Sequence, residues 1–240
     1  MLNKTKISVV IPAFNEARFL PKCVESISKQ LGDFNIEITV VDNNSKDGTF
    51  EIAKKLGVKV INEKRQGVSW TRKIGTENAK GEFILNIDAD TRLPNNYLIE
   101  ALKRFEKNKN LVCLSGQLYF YDGSWWQNLV RPFFHYGLWI FTFLISKGTV
   151  GPMGNNMIFK KDIYGKTSGF DGNLKLGEDV DLSKKMSKFG KVRLDMSLKS
   201  YSSARRFVLD KELWYYFLNF MFIYTVGHPY KNKFSESKKY

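Results

Sequence analysis

Two aspartates with one residue between them, Asp88-Ala89-Asp90, follow directly on the apolar run 83–87. On a turning loop, carboxylates at that spacing can face one ligand. Oxygen-rich sites of this kind suit Mg²⁺ or Mn²⁺ shared with substrate phosphates. A third aspartate, Asp42, follows the run 36–41 in the same way and opens Asp42-Asn43-Asn44-Ser45-Lys46-Asp47-Gly48-Thr49. An Asp after a strand also commonly caps the next helix or closes a turn. Ser-Lys-Asp-Gly-Thr is turn chemistry, so Asp47 is assigned to the turn. Asp88 and Asp90 are assigned to a ligand, because acids gathered at the carboxyl edge of a sheet suit a binding site. A last acidic group, Glu178-Asp179-Val180-Asp181, opens a helical pattern. The macrodipole favours acids there whatever the function, so position alone decides nothing.

These acids need a scaffold, and the first half of the chain supplies one. Strand-like runs at 7–11, 36–41, 58–61 and 83–87 alternate with helix-period segments at 19–31, 49–56 and 69–79. Such alternation implies an α/β fold with a largely parallel sheet, whose ligands bind outside the carboxyl ends of the strands. Beyond about Gly116 the pattern changes. Aromatics crowd Trp125 to Ile145, and Gly148, Gly151 and Gly154 follow. Helices are expected at 178–188 and 213–226, with a polar, basic tail at 231–240. There is no internal repeat or low-complexity linker. The expectation is one domain over 1–240, with a nucleotide-binding half at 1–115 and an acceptor half at 116–230.

At 240 residues the chain can bury a sizeable core, and 43% of it is apolar. Lys and Arg number 38 against 24 Asp and Glu, a net charge of +14. That excess favours an anionic partner: nucleic acid, acidic lipid or a phosphorylated small molecule. Cys23 and Cys113 show no metal-ligand spacing and read as buried free thiols in a reducing, cytoplasmic compartment. No signal-peptide pattern precedes the first strand.

Five motifs in register resemble family 2 glycosyltransferases. Val9 to Glu16, with Pro12-Ala13-Phe14-Asn15-Glu16 at its end, is similar to that family's opening strand and loop. Val40 to Thr49 resembles its second-strand signature. Gly67 through Arg72, then Asp88-Ala89-Asp90, look like its Gly-x-x-x-x-Arg helix and Asp-x-Asp loop. Gly169-Phe170-Asp171 and Gly177 to Leu182 are similar to its acceptor-side motifs. Asn43 stands where a second acid is usual, and Ser168 where a glycine is.

The resemblance implies a GT-A fold and an inverting, metal-dependent transfer from a nucleotide-sugar, UDP-linked by default and GDP-mannose as the main alternative. Pro12, Ala13 and Phe14 would line the nucleobase pocket, with Glu16 beside them and Asp42 accepting a hydrogen bond from the base. Arg72 would approach the diphosphate. Asp88 and Ala89 would lie near the ribose, and Asp90, with Asp88, would hold Mg²⁺ or Mn²⁺. Asp179 would be the general base for the acceptor, with Glu178, Arg205 and Arg206 at the acceptor or diphosphate. Polyprenyl- and dolichyl-phosphate sugar synthases are similar, so the acceptor is expected to be a lipid phosphate or a glycan.

Residues 133–145 and 213–226 are apolar, but each is shorter than the roughly 20 residues a spanning helix needs. Trp125, Trp126, Trp139 and Trp214 are types favoured at a bilayer interface. Either these segments rest on the inner face of a membrane, from Trp125 to Ile145 and from Leu213 to Val226, or they are core or a dimer interface. Three other readings compete: a nucleotidyltransferase, a basic nucleic-acid-binding α/β protein and a catalytically inactive homologue. The first lacks a Gly-rich N-terminal loop. The second leaves the ordered acids unexplained, so no nucleic-acid partner is expected. The intact Asp42, Asp88, Asp90 and Asp179 argue against the third.

Overall fold

The structure, a computed structural model, describes residues 5–145, 155–206 and Leu218. The expected helix from Leu213 to Val226, the basic tail and Gly148, Gly151 and Gly154 lie outside the described residues. In order the elements are β1 (Thr5–Ala13), α1 (Leu20–Ser28), β2 (Phe34–Asp42), α2 (Thr49–Lys55), β3 (Lys59–Asn62), α3 (Val68–Glu77), β4 (Phe83–Ile87) and β5 (Thr91–Arg92). Then come α4 (Tyr97–Lys107), β6 (Leu111–Phe120), α5 (Trp125–Ile145), β7 (Asn156–Lys160), α6 (Lys161–Tyr164), α7 (Glu178–Met186), β8 (Lys191–Ser202) and a 3₁₀ turn at Ala204–Arg206.

One eight-stranded sheet, in the order β3-β2-β1-β4-β7-β6-β8-β5, runs through both halves of the chain. Strands β3, β2, β1 and β4 are parallel, as the alternating pattern requires. Past β4 the sheet becomes mixed, because β7 runs antiparallel to both β4 and β6, β8 parallel to β6, and β5 antiparallel to β8. The register of β1 on β2 sets Ala13 beside Asp42, so the ends of the two motif-bearing strands meet.

Helices cover both faces. Leu20, Cys23, Val24 and Ile27 form the buried stripe of α1, whose first turn carries Pro21. In α4, Tyr97, Leu98, Ala101, Leu102 and Phe105 do the same. These stripes join Ile7, Val9 and Leu85 in one core. On the opposite face Val10, Val41, Ile84, Phe159, Phe170, Leu182 and Met186 form a second. Helix α3 approaches this face so closely that a Cβ on Gly75 would fall 2.3 Å from a Val10 methyl. Both cysteines are buried free thiols, as their apolar runs imply.

Candidate active site

The nucleobase candidates come together at the carboxyl ends of β1 and β2. Ala13 is buried and Phe14 is 39% exposed, leaving a ring face open. Asp42 is buried, and its Oδ2 accepts from the Ser45 amide at 3.1 Å. Its Oδ1 is buried with no partner among the described residues. An orphaned buried carboxylate oxygen is costly unless something else supplies an N–H, so it has capacity to accept from a ligand. Asp47 is instead consumed by the turn. Its Oδ1 accepts from the Thr49 amide and hydroxyl at 3.0 and 2.5 Å, and its Oδ2 from the Ala17 amide at 3.0 Å.

Asn43, the departure from the usual acid, has a structural reason. Its amide nitrogen donates to the carbonyls of Glu63 and Arg65, both at 2.8 Å, while its Oδ1 accepts from the Gly67 amide at 2.8 Å. This stitches the end of β2 to the loop that starts α3. A carboxylate could accept there but not donate.

Asp88 and Asp90 diverge, each toward its own arginine. Asp88 Oδ1 accepts from Arg72 Nη2 at 2.9 Å, and Arg72 Nη1 donates to Glu178. Arg72 is fully enclosed, so it ties the Asp-x-Asp loop to the start of α7 rather than projecting into open space. Ala89, between the two acids, is buried. Asp90 is also buried; it accepts from Ser202 Oγ at 3.0 Å and from Arg205 Nε and Nη2 at 3.3 and 3.2 Å. Arg205 Nη2 donates to Glu16 as well, and its guanidinium lies 4.2 Å from the Phe19 ring centroid. Arg206 closes the same 3₁₀ turn.

The acceptor-side motifs pack against the same edge. Phe170 is buried in the second core. Gly172 lies flat on Trp70, where a Cβ would fall 2.4 Å from the indole, and Ser69 Oγ donates to the Leu174 carbonyl. Gly177, at φ 78°, turns the chain into α7. Glu178 then enters the interior, while Asp179 stays half-buried with its Oδ1 accepting from the Val180 amide at 2.8 Å. Trp70, Phe19 and Asp122, which takes the Ala204 amide at 2.6 Å and the Ser203 hydroxyl at 2.7 Å, were not read as site residues. Trp70 carried a signal, since it lies inside the Gly67–Arg72 motif.

Six acids, Glu16, Asp42, Asp88, Asp90, Glu178 and Asp179, lie along this edge in a chain of net charge +14, with the guanidiniums of Arg72 and Arg205 bonded among them and Arg92 close to Asp90 and Asp88. Burial alone would lower the Arg72 guanidinium, but Glu178, Asp88 and Asp179 outweigh it and hold it above its usual range. Burial pushes the Glu178 carboxyl up to about 7, with Arg72 opposing and Asp179 assisting. Among the described residues no three acids, cysteines or histidines form a closed metal cage. Asp90 and Asp88 offer hard carboxylate oxygens of the kind that Mg²⁺ or Mn²⁺ shares with a substrate phosphate, but they do not face one ligand as their spacing suggested, because each is turned onto its own arginine.

Known proteins carry the same signals. The family model for glycosyl transferase family 2 matches residues 8–167. Glycosyltransferase GlyG of Streptococcus pneumoniae is 36% identical over 124 residues, 49% of this chain and 40% of that protein. The cholesterol galactosyltransferase of Borreliella burgdorferi is 30% identical over 145 residues, 58% of this chain and 40% of that one. The chain thus spans about two-fifths of the length of these relatives. Among solved structures, the mannosyltransferase PcManGT of Pyrobaculum calidifontis, in complex with GDP-Man and Mn²⁺, superposes with a TM-score of 0.68 at 19% identity, covering 89% of this chain and 60% of that one. TarS of S. aureus (residues 1–349) with UDP-GlcNAc gives 0.65 at 17%, covering 95% and 68%. These neighbours establish a GT-A-like nucleotide-sugar transferase fold. With two thirds of its length inside the family model, the chain belongs to glycosyl transferase family 2.

Proposed function

We propose that the protein is a metal-dependent, inverting glycosyltransferase that moves a sugar from a nucleotide-sugar to a hydroxyl of a lipid-linked or glycan acceptor. The observation that carries this reading is the acid-rich edge of the sheet within a basic chain. A nucleoside diphosphate would be repelled there unless a divalent cation came with it. The orphaned Asp42 Oδ1 suits the N–H of a nucleobase, with Phe14 offering a stacking face. Asp90, with Asp88, would hold Mg²⁺ or Mn²⁺, which when bound neutralises charge developing on the departing nucleoside diphosphate. Arg72 positions Asp88 and Glu178 from behind. Asp179 takes the acceptor proton as the hydroxyl attacks the anomeric carbon, and a single displacement inverts the configuration. The carboxylates at the start of α7 disfavour an ionised phosphate acceptor, which favours a hydroxyl. Residues 1–115 would serve the donor and 116–230 the acceptor, within one domain.

The test is thermal stabilisation by UDP, GDP, CMP and dTDP, each with and without Mn²⁺. One nucleotide at a hundred times its dissociation constant should contribute about 2.7 kcal/mol. That shift should require metal and disappear in Asp90→Ala. No metal-dependent shift with any of the four would remove the reading.

The acceptor side bears on location. Helix α5 passes through Pro132, and among the described residues no helix is long and apolar enough to cross a membrane. Several of its described apolar side chains are nonetheless exposed, with Trp125 at 79%, Phe133 at 73% and Leu144 at 70%. We therefore place α5 on the inner face of a membrane, held by aromatic insertion and the basic excess. The chain should pellet with phosphatidylglycerol vesicles, and Trp125→Ser with Phe133→Ser should leave most of it in the supernatant. Wild-type protein that stays in the supernatant at low salt would rule this placement out.

A further inference from the structure

Asp90 is the carboxylate assigned above to a divalent cation, yet a side chain already meets it. Arg205 spans Asp90 and Glu16, whose side chains are 9% and 6% exposed. The 3₁₀ turn that presents Arg205 is pinned, because Asp122 accepts from the Ser203 hydroxyl and the Ala204 amide. The Phe19 ring lies against the guanidinium. The contacts to Asp90, at 3.2 and 3.3 Å, are longer than the about 2.7–2.9 Å of a strong guanidinium–carboxylate bond, so the Asp90 end is the one that can be given up.

We propose that Arg205 is the resident counter-cation of Asp90 while no nucleotide is bound, and that it releases Asp90 but keeps Glu16 as a metal–nucleotide complex enters. The inference rests on the metal reading of Asp90 given above. A guanidinium and a divalent cation compete for the same buried carboxylate, so Arg205 weakens metal binding in the empty protein. A diphosphate entering with the metal offers the released guanidinium a new bidentate partner. Metal and nucleotide binding are thereby coupled through one side chain, and the coupling is reciprocal. Arg205 thus guards the acidic edge against cations that arrive without a donor.

The measurement is Mn²⁺ binding, read from the electron paramagnetic resonance of free Mn²⁺ and needing no turnover. Wild type, Arg205→Met, Arg205→Lys and Asp90→Asn are titrated alone and with UDP or GDP, after thermal unfolding confirms that each is folded. Arg205→Met should bind Mn²⁺ alone about tenfold tighter than wild type, the effect of removing one charged competitor. The enhancement of Mn²⁺ affinity by nucleotide should shrink in the same variant. Arg205→Lys keeps a charge but loses the fork that spans both carboxylates, so it should bind Mn²⁺ alone a few-fold tighter. This variant decides the matter if the methionine protein does not fold. Unchanged or weaker Mn²⁺ binding in the folded arginine variants, with binding lost in Asp90→Asn, overturns the competition while leaving the metal site standing. Mn²⁺ binding untouched by Asp90→Asn overturns the metal reading itself, and the inference with it.

Discussion

Replacing Arg72 with methionine is expected to destabilise the fold by about 3–5 kcal/mol, the largest loss of any single change at this edge. Arg72 and Glu178 are 5% and 6% exposed at the side chain, so removing the guanidinium strands a carboxylate in the interior. Asp88, 41% exposed, can turn to water and contributes little to the penalty. The double variant Arg72→Met with Glu178→Gln should therefore be more stable than Arg72→Met alone, a coupling that urea unfolding of all four proteins measures. Its dependence on pH has a definite sign. In the folded wild type the Glu178 carboxyl stands near 7 against an ordinary 4.5. The native state thus keeps a proton that the unfolded chain has released between those values. The resulting stability is fully present below 4.5 and is lost as pH rises through 7. Between pH 4.5 and 8, Glu178→Gln should gain about 3 kcal/mol relative to wild type, because it lacks that loss. Arg72→Met should unfold more easily at pH 8 than at pH 5. A loss below about 1 kcal/mol in Arg72→Met would show that the guanidinium is not a strut, and would return it to the diphosphate role that its motif implies.

The first half of this fold was legible because its strands carry apolar runs, most of them buried, and because periodicity changes where each strand ends. Asp42, Asp88 and Asp90 were legible for the same reason: Asp42 and Asp88 directly follow such runs, and Asp90 is two residues further on. Asp47 was legible as turn chemistry, and its bonds to Thr49 bear that out. Helix α4 was readable and went unread, since Tyr97, Leu98, Ala101, Leu102 and Phe105 follow helical spacing. Strands β6 and β8 were harder. Ser115, Gln117, Asp195 and Ser200 are buried polar residues within them, and Asp195 and Ser200 are met by Arg104 and the Gln117 carbonyl, tertiary partners that no local pattern announces. The mixed half of the sheet follows from these strands, so parallel alternation could not foretell it. Arg205 meets Glu16 across 189 residues of sequence. Arg72 looks like a phosphate ligand by motif, and its pairing with Asp88 and Glu178 was not legible. In each case the type of residue was visible, and its partner was set by the fold.

Asp179→Asn is expected to lower kcat about 10²–10⁴-fold, the usual contribution of a positioned general base. The substitution is nearly isosteric. Asparagine keeps an Oδ1 for the Val180 amide, which Asp179 now accepts at 2.8 Å, so the start of α7 should hold its shape. Nucleotide and metal binding, read by thermal stabilisation, should be unchanged, because the donor is assigned to Asp42, Asp88 and Asp90. The loss should fall on kcat with KM for the donor nearly intact, which separates proton transfer from binding. Glu178→Gln supplies the contrast. It removes a neighbouring carboxyl that is buried and turned onto Arg72, so its kcat should stay within about tenfold of wild type. The size of the Asp179 effect also reads the acceptor. A hydroxyl must surrender its proton as it attacks, whereas a lipid phosphate is already ionised at neutral pH and needs no base. A loss of less than about tenfold in Asp179→Asn would reject the hydroxyl and assign a phosphate acceptor, with Asp179 reduced to orienting it. A loss of a hundredfold or more, with the base-dependent limb missing from the pH–rate profile, is the outcome that the acidic start of α7 leads us to expect.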